Sequence, residues 1–161
     1  MTYEFSGYAT KHNLKCSDGR TILPDAFKTN DGSIVPLVWQ HKHDDPENVL
    51  GHALLENRKD GVYAYCSLNN SEKANVVREL LSHKDVKHLS IYANKLVQRG
   101  NDVMHGVIRE VSVVLAGANP GAFIDNIHIQ HDDGFEVIDD EAVIYTGLTL
   151  QHEEPKEREV S

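Results

Sequence analysis

The sequence predicts a mostly β protein with at least one helix, its strands curled into a closed or partly closed antiparallel barrel. Three observations carry that expectation. Apolar and polar residues alternate with period two along several segments, as they do in half-buried strands. Turn-forming residues punctuate those segments at short intervals. Only one stretch, about Glu72 to His83, repeats its apolar residues with a helical period. A closed or partly closed barrel buries such strands without leaving open edges.

Taken in order, Tyr3 to Thr10 alternates as a first strand. A turn-rich stretch follows, marked by Ser17-Asp18-Gly19 and Asn30-Asp31-Gly32. Within it, Leu23 to Phe27 is expected to form one helical turn, with Pro24 near the first helical position, where a missing N–H costs little. Pro36 to His41 reads as an apolar strand ending in a polar cluster. Leu50 to Asn57 and Val62 to Leu68 read as a hairpin around Arg58-Lys59-Asp60-Gly61, because Asp-Gly tolerates the positive φ of a tight turn.

The helix is expected to start from Asn70 or Ser71, whose side chain accepts from an orphan N–H of the first turn. Its buried stripe is Ala74, Val77 and Leu81, with Leu80 beside it. Strands then resume over Lys87 to Gln98 and Val103 to Leu115, joined at Arg99-Gly100-Asn101-Asp102. Ala122 to Gln130 is a candidate for one more. Val143 to Leu150 is expected to add a strand or a partner-dependent segment, with a solvated tail from Gln151 to Ser161.

Charge divides the chain more sharply than length does. The 161 residues carry a net charge of −9, and residues 131–161 hold 10 of the 25 acidic but 2 of the 16 basic side chains. We therefore expect one folded domain over 1–130 and an acidic, partly flexible extension over 131–161. No basic stripe with interleaved aromatics is present, which argues against nucleic acid as a direct partner. No apolar run approaches the ~18 residues a membrane span needs, and Met1 to Thr10 lacks the basic start and apolar block of a secretion signal. Cytoplasmic residence is the expectation. Cys16 and Cys66 are too few for a disulfide framework, and both are expected to be reduced.

Three segments hold residues suited to chemistry. The first, Val38 to Asp45, is a strand running into a loop rich in His and Asp. His41 there suits a general base, and His41 with His43 could share a metal ion. No third ligand stands at convincing spacing, and the plain alternative is a polar loop. In the second, His88-Leu89-Ser90-Ile91-Tyr92, period two puts His88, Ser90 and Tyr92 on one face. A serine hydroxyl becomes nucleophilic only when a neighbouring base takes its proton, and the plain alternative is a serine on a polar sheet face. In the third, Glu110 and Ser112 share a face of an otherwise apolar strand. An acid there is costly to bury unless paired. Ala116 to Asn119 follows as a small-residue loop whose backbone N–H groups could approach a substrate, or simply turn the chain.

In order, His41 after an apolar strand, Gly51 opening the next, Ser90 in Leu-Ser-Ile-Tyr, and Glu110-Val111-Ser112-Val113-Val114 leading to Ala118-Asn119-Pro120-Gly121-Ala122 resemble the prohead maturation proteases of tailed bacteriophages. The resemblance covers roughly residues 3 to 127. It implies a serine endopeptidase with a barrel similar to that of the herpesvirus assembly proteases, so that 1–130 becomes the protease domain. By motif, Ser90 would be the nucleophile, His41 the general base and Glu110 the acid orienting it, with backbone N–H groups of Ala116, Gly117 and Ala118 as the oxyanion hole.

The resemblance further implies scaffold protein and major capsid protein as substrates, self-cleavage, action inside the procapsid in the host cytoplasm, and a possible homo-oligomer. No cofactor or metal is called for. His88 and His43 compete with His41 for the role of base, and Ser112 competes with Ser90, although its slot in the motif is structural. Two readings stand against this one: a non-catalytic capsid-assembly or scaffold module, whose three side chains need not converge, and a metal-dependent hydrolase built on His41 and His43.

Overall fold

The computed structural model describes residues 3–13, 15–16, 19–86 and 88–115 with their side chains, together with the backbone of 128–130, 135–138 and 143–149. Strands β1 (Phe5–Lys11), β2 (Thr21–Ile22), β3 (Ile34–Trp39), β4 (Val49–Arg58) and β5 (Gly61–Leu68) precede helix α1 (Glu72–Ser82). After it come β6 (His88–Arg99), β7 (Asp102–Val114), β8 (His128–Gln130), β9 (Phe135–Ile138) and β10 (Val143–Thr149).

Among the described residues the ten strands join one sheet in the order β1-β5-β4-β3-β7-β6-β9-β8, with β10 also on β6 and β2 also on β7. Beyond its ladder with β5, β1 stands near β6 and β10, so the sheet curls back towards itself as a partly closed barrel. Most neighbours are antiparallel, as expected, but β3 and β2 both run parallel to β7. The two hairpins fall at the anticipated sites, but neither Asp60 nor Gly61 takes the positive φ expected there; Gly61 is a strand residue at which a Cβ would stand 2.2 Å from the Thr10 carbonyl oxygen. β4 pairs with β5 from Gly51↔Leu68 to Arg58↔Gly61, and β6 turns into β7 through Gly100, whose φ of 60° suits a residue without a Cβ.

The helical turn expected over Leu23 to Phe27 is displaced. Those residues form turns, with Asp25 at φ 64°, and the short 3₁₀ helix is Lys28–Asn30. The reason is Asn30. Its buried amide accepts from Ile108 N–H at 2.8 Å and donates to the Ile108 carbonyl at 3.0 Å, fastening this segment to β7.

Ser71 caps α1, its hydroxyl accepting from Ala74 N–H at 3.1 Å, while Ala74 and Val77 are buried and Leu80 and Leu81 pack at the core margin. An Arg78–Glu4 ion pair at 2.7 Å ties the helix to the residues leading into β1. Inside the curl, Leu37, Leu50, Leu55, Leu89, Ile91, Leu96, Ile108 and Val111 form the core. Each such side chain contributes about 1.5–3 kcal/mol by leaving water. Alternation sets the neighbours of Ile91 and Val111 on the other face of the same strands, and that face carries the candidate site.

Candidate active site

Two ladders build the site. In the antiparallel pair β6–β7, Ser90 stands opposite Ser112 and Tyr92 opposite Glu110, so these four side chains share a face. In the parallel pair β3–β7, Val38 stands beside Ser112 and Trp39 beside Val113. Three strands thus align Val38, Ser112 and Ser90 in one row, and the chain leaving β3 passes directly over Ser112.

The expected strand over Pro36 to His41 stops at Trp39. Gln40 and His41 instead take φ of 54° and 59°, and Lys42 N–H donates to the Trp39 carbonyl at 3.0 Å, the signature of a tight turn with two left-handed residues. Left-handed backbone at a residue with a Cβ costs about 1–3 kcal/mol and persists only when the surroundings over-determine it. Here three hydrogen bonds do so. Gln40 N–H donates to the Val113 carbonyl at 3.0 Å, His41 N–H donates to Ser112 Oγ at 3.0 Å, and Leu115 N–H donates to Gln40 Oε1 at 3.1 Å.

The turn aims the His41 ring across the row. Its Nε2 lies 2.7 Å from Ser90 Oγ and its Nδ1 lies 2.9 Å from Glu110 Oε1. Ser112 Oγ donates to the same Glu110 oxygen at 3.3 Å. The other carboxylate oxygen, Oε2, is 3.1 Å from Nδ1 of His43, whose ring leans on that of Tyr92 at 5.0 Å. Glu110, 4% exposed, therefore has the partners that a buried acid requires. Ser90 is fully covered at 0%, whereas the His43 side chain is 46% exposed.

Of the residues singled out by sequence, His41, Ser90 and Glu110 come within hydrogen-bonding distance as a continuous relay. His43, although not on a continued strand, reaches the same carboxylate. His88 sits in register with Val114, two residues from Ser90, but the imidazole at the Ser90 hydroxyl is that of His41. Ala116, Gly117 and Ala118 lie outside the described residues. Sequence reasoning missed how Ser112 and Gln40 hold the His41 turn. The available signal was Glu-x-Ser, which sets a second hydroxyl one pleat from the acid. Among the described residues no group of three His, Cys, Asp or Glu side chains is arranged to hold a metal ion.

A hydroxyl, an imidazole and a carboxylate linked in that order are the equipment of a serine hydrolase. The family model for caudovirus prohead serine protease matches residues 1–135, and the chain belongs to that family. It is a serine protease of phage head maturation. No curated protein and no solved structure was found to match it. Among the described residues no helix is long and apolar enough to cross a membrane.

Proposed function

We propose that Ser90 is the nucleophile, His41 the general base and Glu110 the orienting acid of this protease. The observation that supports it is the unbroken relay from Ser90 Oγ through both ring nitrogens of His41 to Glu110, at 2.7 and 2.9 Å. As Ser90 Oγ bonds to the scissile carbonyl carbon, its proton passes to His41 Nε2. Glu110 keeps the other proton on Nδ1 and stabilises the imidazolium. His41 then returns the first proton to the leaving amine. Water, activated by the same ring, hydrolyses the acyl-enzyme. Positioned base catalysis of this kind supplies about 10²–10⁴-fold.

The oxyanion formed on attack needs backbone donors, and we assign them to the loop Ala116-Gly117-Ala118, which directly follows the strand carrying Glu110. The substrates in this reading are scaffold protein, the N-terminal part of the major capsid protein and the protease itself, cut within the procapsid in the host cytoplasm. We extend the resemblance to the herpesvirus assembly protease fold on the same footing, supported by the mostly β build of the described residues, with one helix among them, and a sheet that curls into a partial barrel.

The convergence of the three side chains opposes a purely structural assembly module. A metal-dependent hydrolase on His41 and His43 is opposed by how the rings are used: both nitrogens of His41 are engaged with protein partners, and His43 points its Nδ1 at Glu110. The test is Ser90→Ala, with cleavage of scaffold and of the chain itself read by mass spectrometry, alongside mapping of a fluorophosphonate adduct. Loss of both cleavages and an adduct on Ser90 are expected. A fully active Ser90→Ala chain would overturn the assignment.

A further inference from the structure

The strand that carries Ser90 has two edges, and only one belongs to the site as described. Along one edge β6 pairs with β7. Along the other, β9 covers Val97 to Arg99, and β10 covers His88 to Tyr92. The β10 ladder pairs Val143 with Tyr92, Ile144 with Ile91, Leu148 with Leu89 and Thr149 with His88. Its register breaks between Ile144 and Leu148, so Tyr145, Thr146 and Gly147 stand opposite the single position of Ser90. β10 lies beyond residues 1–135, the part matched by the family, and the Ser90 hydroxyl it runs beside is wholly buried.

We propose that the β6 edge from His88 to Tyr92 is a docking site for an extended polypeptide strand, and that β10 fills it in cis, leaving the protease latent until Val143–Thr149 is displaced. The inference rests on the assignment of Ser90 as nucleophile. A sheet edge recognises a peptide through main-chain N–H and C=O groups, so it accepts varied sequences laid out in extended form, as a protease substrate must be. A strand tethered to the same chain competes at an effective concentration of about millimolar, which an incoming peptide must match or outlast.

The occupant is also built to leave. The ladder is short and interrupted, and although β10 itself carries no charge, the sequence on both sides of it is acidic, with Asp139, Asp140 and Glu141 before it and Glu153 and Glu154 after it. Local opening of such a segment needs far less free energy than global unfolding.

The test uses the full chain with two readouts. In a Ser90→Ala background, which removes self-cleavage, amide exchange across His88 to Tyr92 is followed by NMR. Adding Ile144→Pro and Leu148→Pro, which removes two backbone N–H groups from β10 and restricts its backbone, is expected to accelerate that exchange by about tenfold or more. A synthetic peptide with the sequence of residues 141–150 is expected to slow it again. Unchanged exchange in the proline variant, or no effect of the peptide, would overturn the docking site whatever becomes of hydrolysis. If exchange also rises throughout β4 and β5, the prolines have unfolded the chain, and Ile144→Asp with Leu148→Asp takes their place under the same criteria.

With Ser90 present, the same β10 substitutions are expected to speed fluorophosphonate labelling of Ser90 by about tenfold or more, tracking the opening of the edge. Labelling equally fast with β10 paired or unpaired would overturn latency. Labelling in neither chain, with the exchange difference intact, would remove the nucleophile assignment and leave the docking edge standing.

Discussion

The hydroxyl of Ser112 accepts the backbone N–H of His41 at 3.0 Å, holding in place a residue whose φ of 59° is otherwise unfavourable. The same hydroxyl donates to Glu110 at 3.3 Å, so one buried side chain contacts both the turn that aims the imidazole and the carboxylate that meets its Nδ1. Ser112→Ala should leave two buried polar groups short of a partner. We expect a stability loss of about 1–3 kcal/mol in urea unfolding. A drop in kcat of about tenfold or more, with KM little changed, would mark misaimed chemistry, since each 1.4 kcal/mol is tenfold. A catalytic rate equal to that of the parent chain would show that the turn holds without Ser112.

Glu110 serves two imidazoles, one on each oxygen. Glu110→Gln keeps the shape and removes the charge that, in the proposed mechanism, stabilises the His41 imidazolium. In a Ser-His-acid relay such a change costs about 10⁴-fold in kcat, and we expect a loss of that order in peptide cleavage. His43→Gln, which keeps an N–H donor for Oε2, should lose less than about tenfold, because the substituted group acts one bond further from the reacting atoms. Equal losses in the two variants would place His43 in direct contact with the reaction.

At Gly51 the missing Cβ leaves room for the β5 backbone. A Cβ added there would stand 1.9 Å from the Ser67 carbonyl oxygen, and backbone cannot yield as a side-chain tip does. Gly51→Ala is expected to destabilise the fold by about 1–3 kcal/mol or more, read as a lower urea midpoint. Gly32→Ala is the control for a position with open space around the missing Cβ. Its φ of 78° gives it a backbone cost, but no clash. An unaltered midpoint for Gly51→Ala would mean that the two strands can separate locally without penalty.

Hydrogen bonds from Arg78 hold the Glu4 carboxyl below the ordinary carboxylate range. A carboxyl lowered on folding adds stability above its unfolded pKa of about 4.3, and that contribution fades as pH falls through the lowered value. The stability gap between the parent chain and Glu4→Gln should therefore be present at neutral pH and shrink on acidification. Both side chains are about one-third exposed, so the gap should also narrow with added salt. A gap constant from neutral to strongly acidic pH would rule out the ion pair as its source.

Burial pushes the Cys66 thiol far up from its usual pKa. The thiolate is the reactive form, so Cys66 should resist alkylation by iodoacetamide in the folded protein even at mildly alkaline pH and react once denaturant is added. Rapid modification of Cys66 in the native chain would mean that β5 opens readily.

Local patterning determined a good deal. Alternation set Ser90, Tyr92, Glu110 and Ser112 on polar faces and Ile91 and Val111 in the core, because burial of one sheet face is written into every second residue. Ser71 marked the start of the helix, because cap chemistry acts over a few residues, whereas Asp60-Gly61 marked its hairpin without taking the positive φ expected of it. The order of the motifs was enough to suggest the family.

Only the tertiary structure decided how these pieces meet. The parallel pairing of β3 with β7 joins segments some seventy residues apart, and nothing in either strand's own pattern specifies that partner. The left-handed turn at Gln40 and His41 follows from it, since the hydrogen bonds that make the strained backbone tolerable come from Ser112, Val113 and Leu115 across the ladder. The second imidazole on Glu110 and the strand beside Ser90 arise in the same way. Period and composition record which way a side chain faces, whereas the partner it meets is set by the pairing of distant strands.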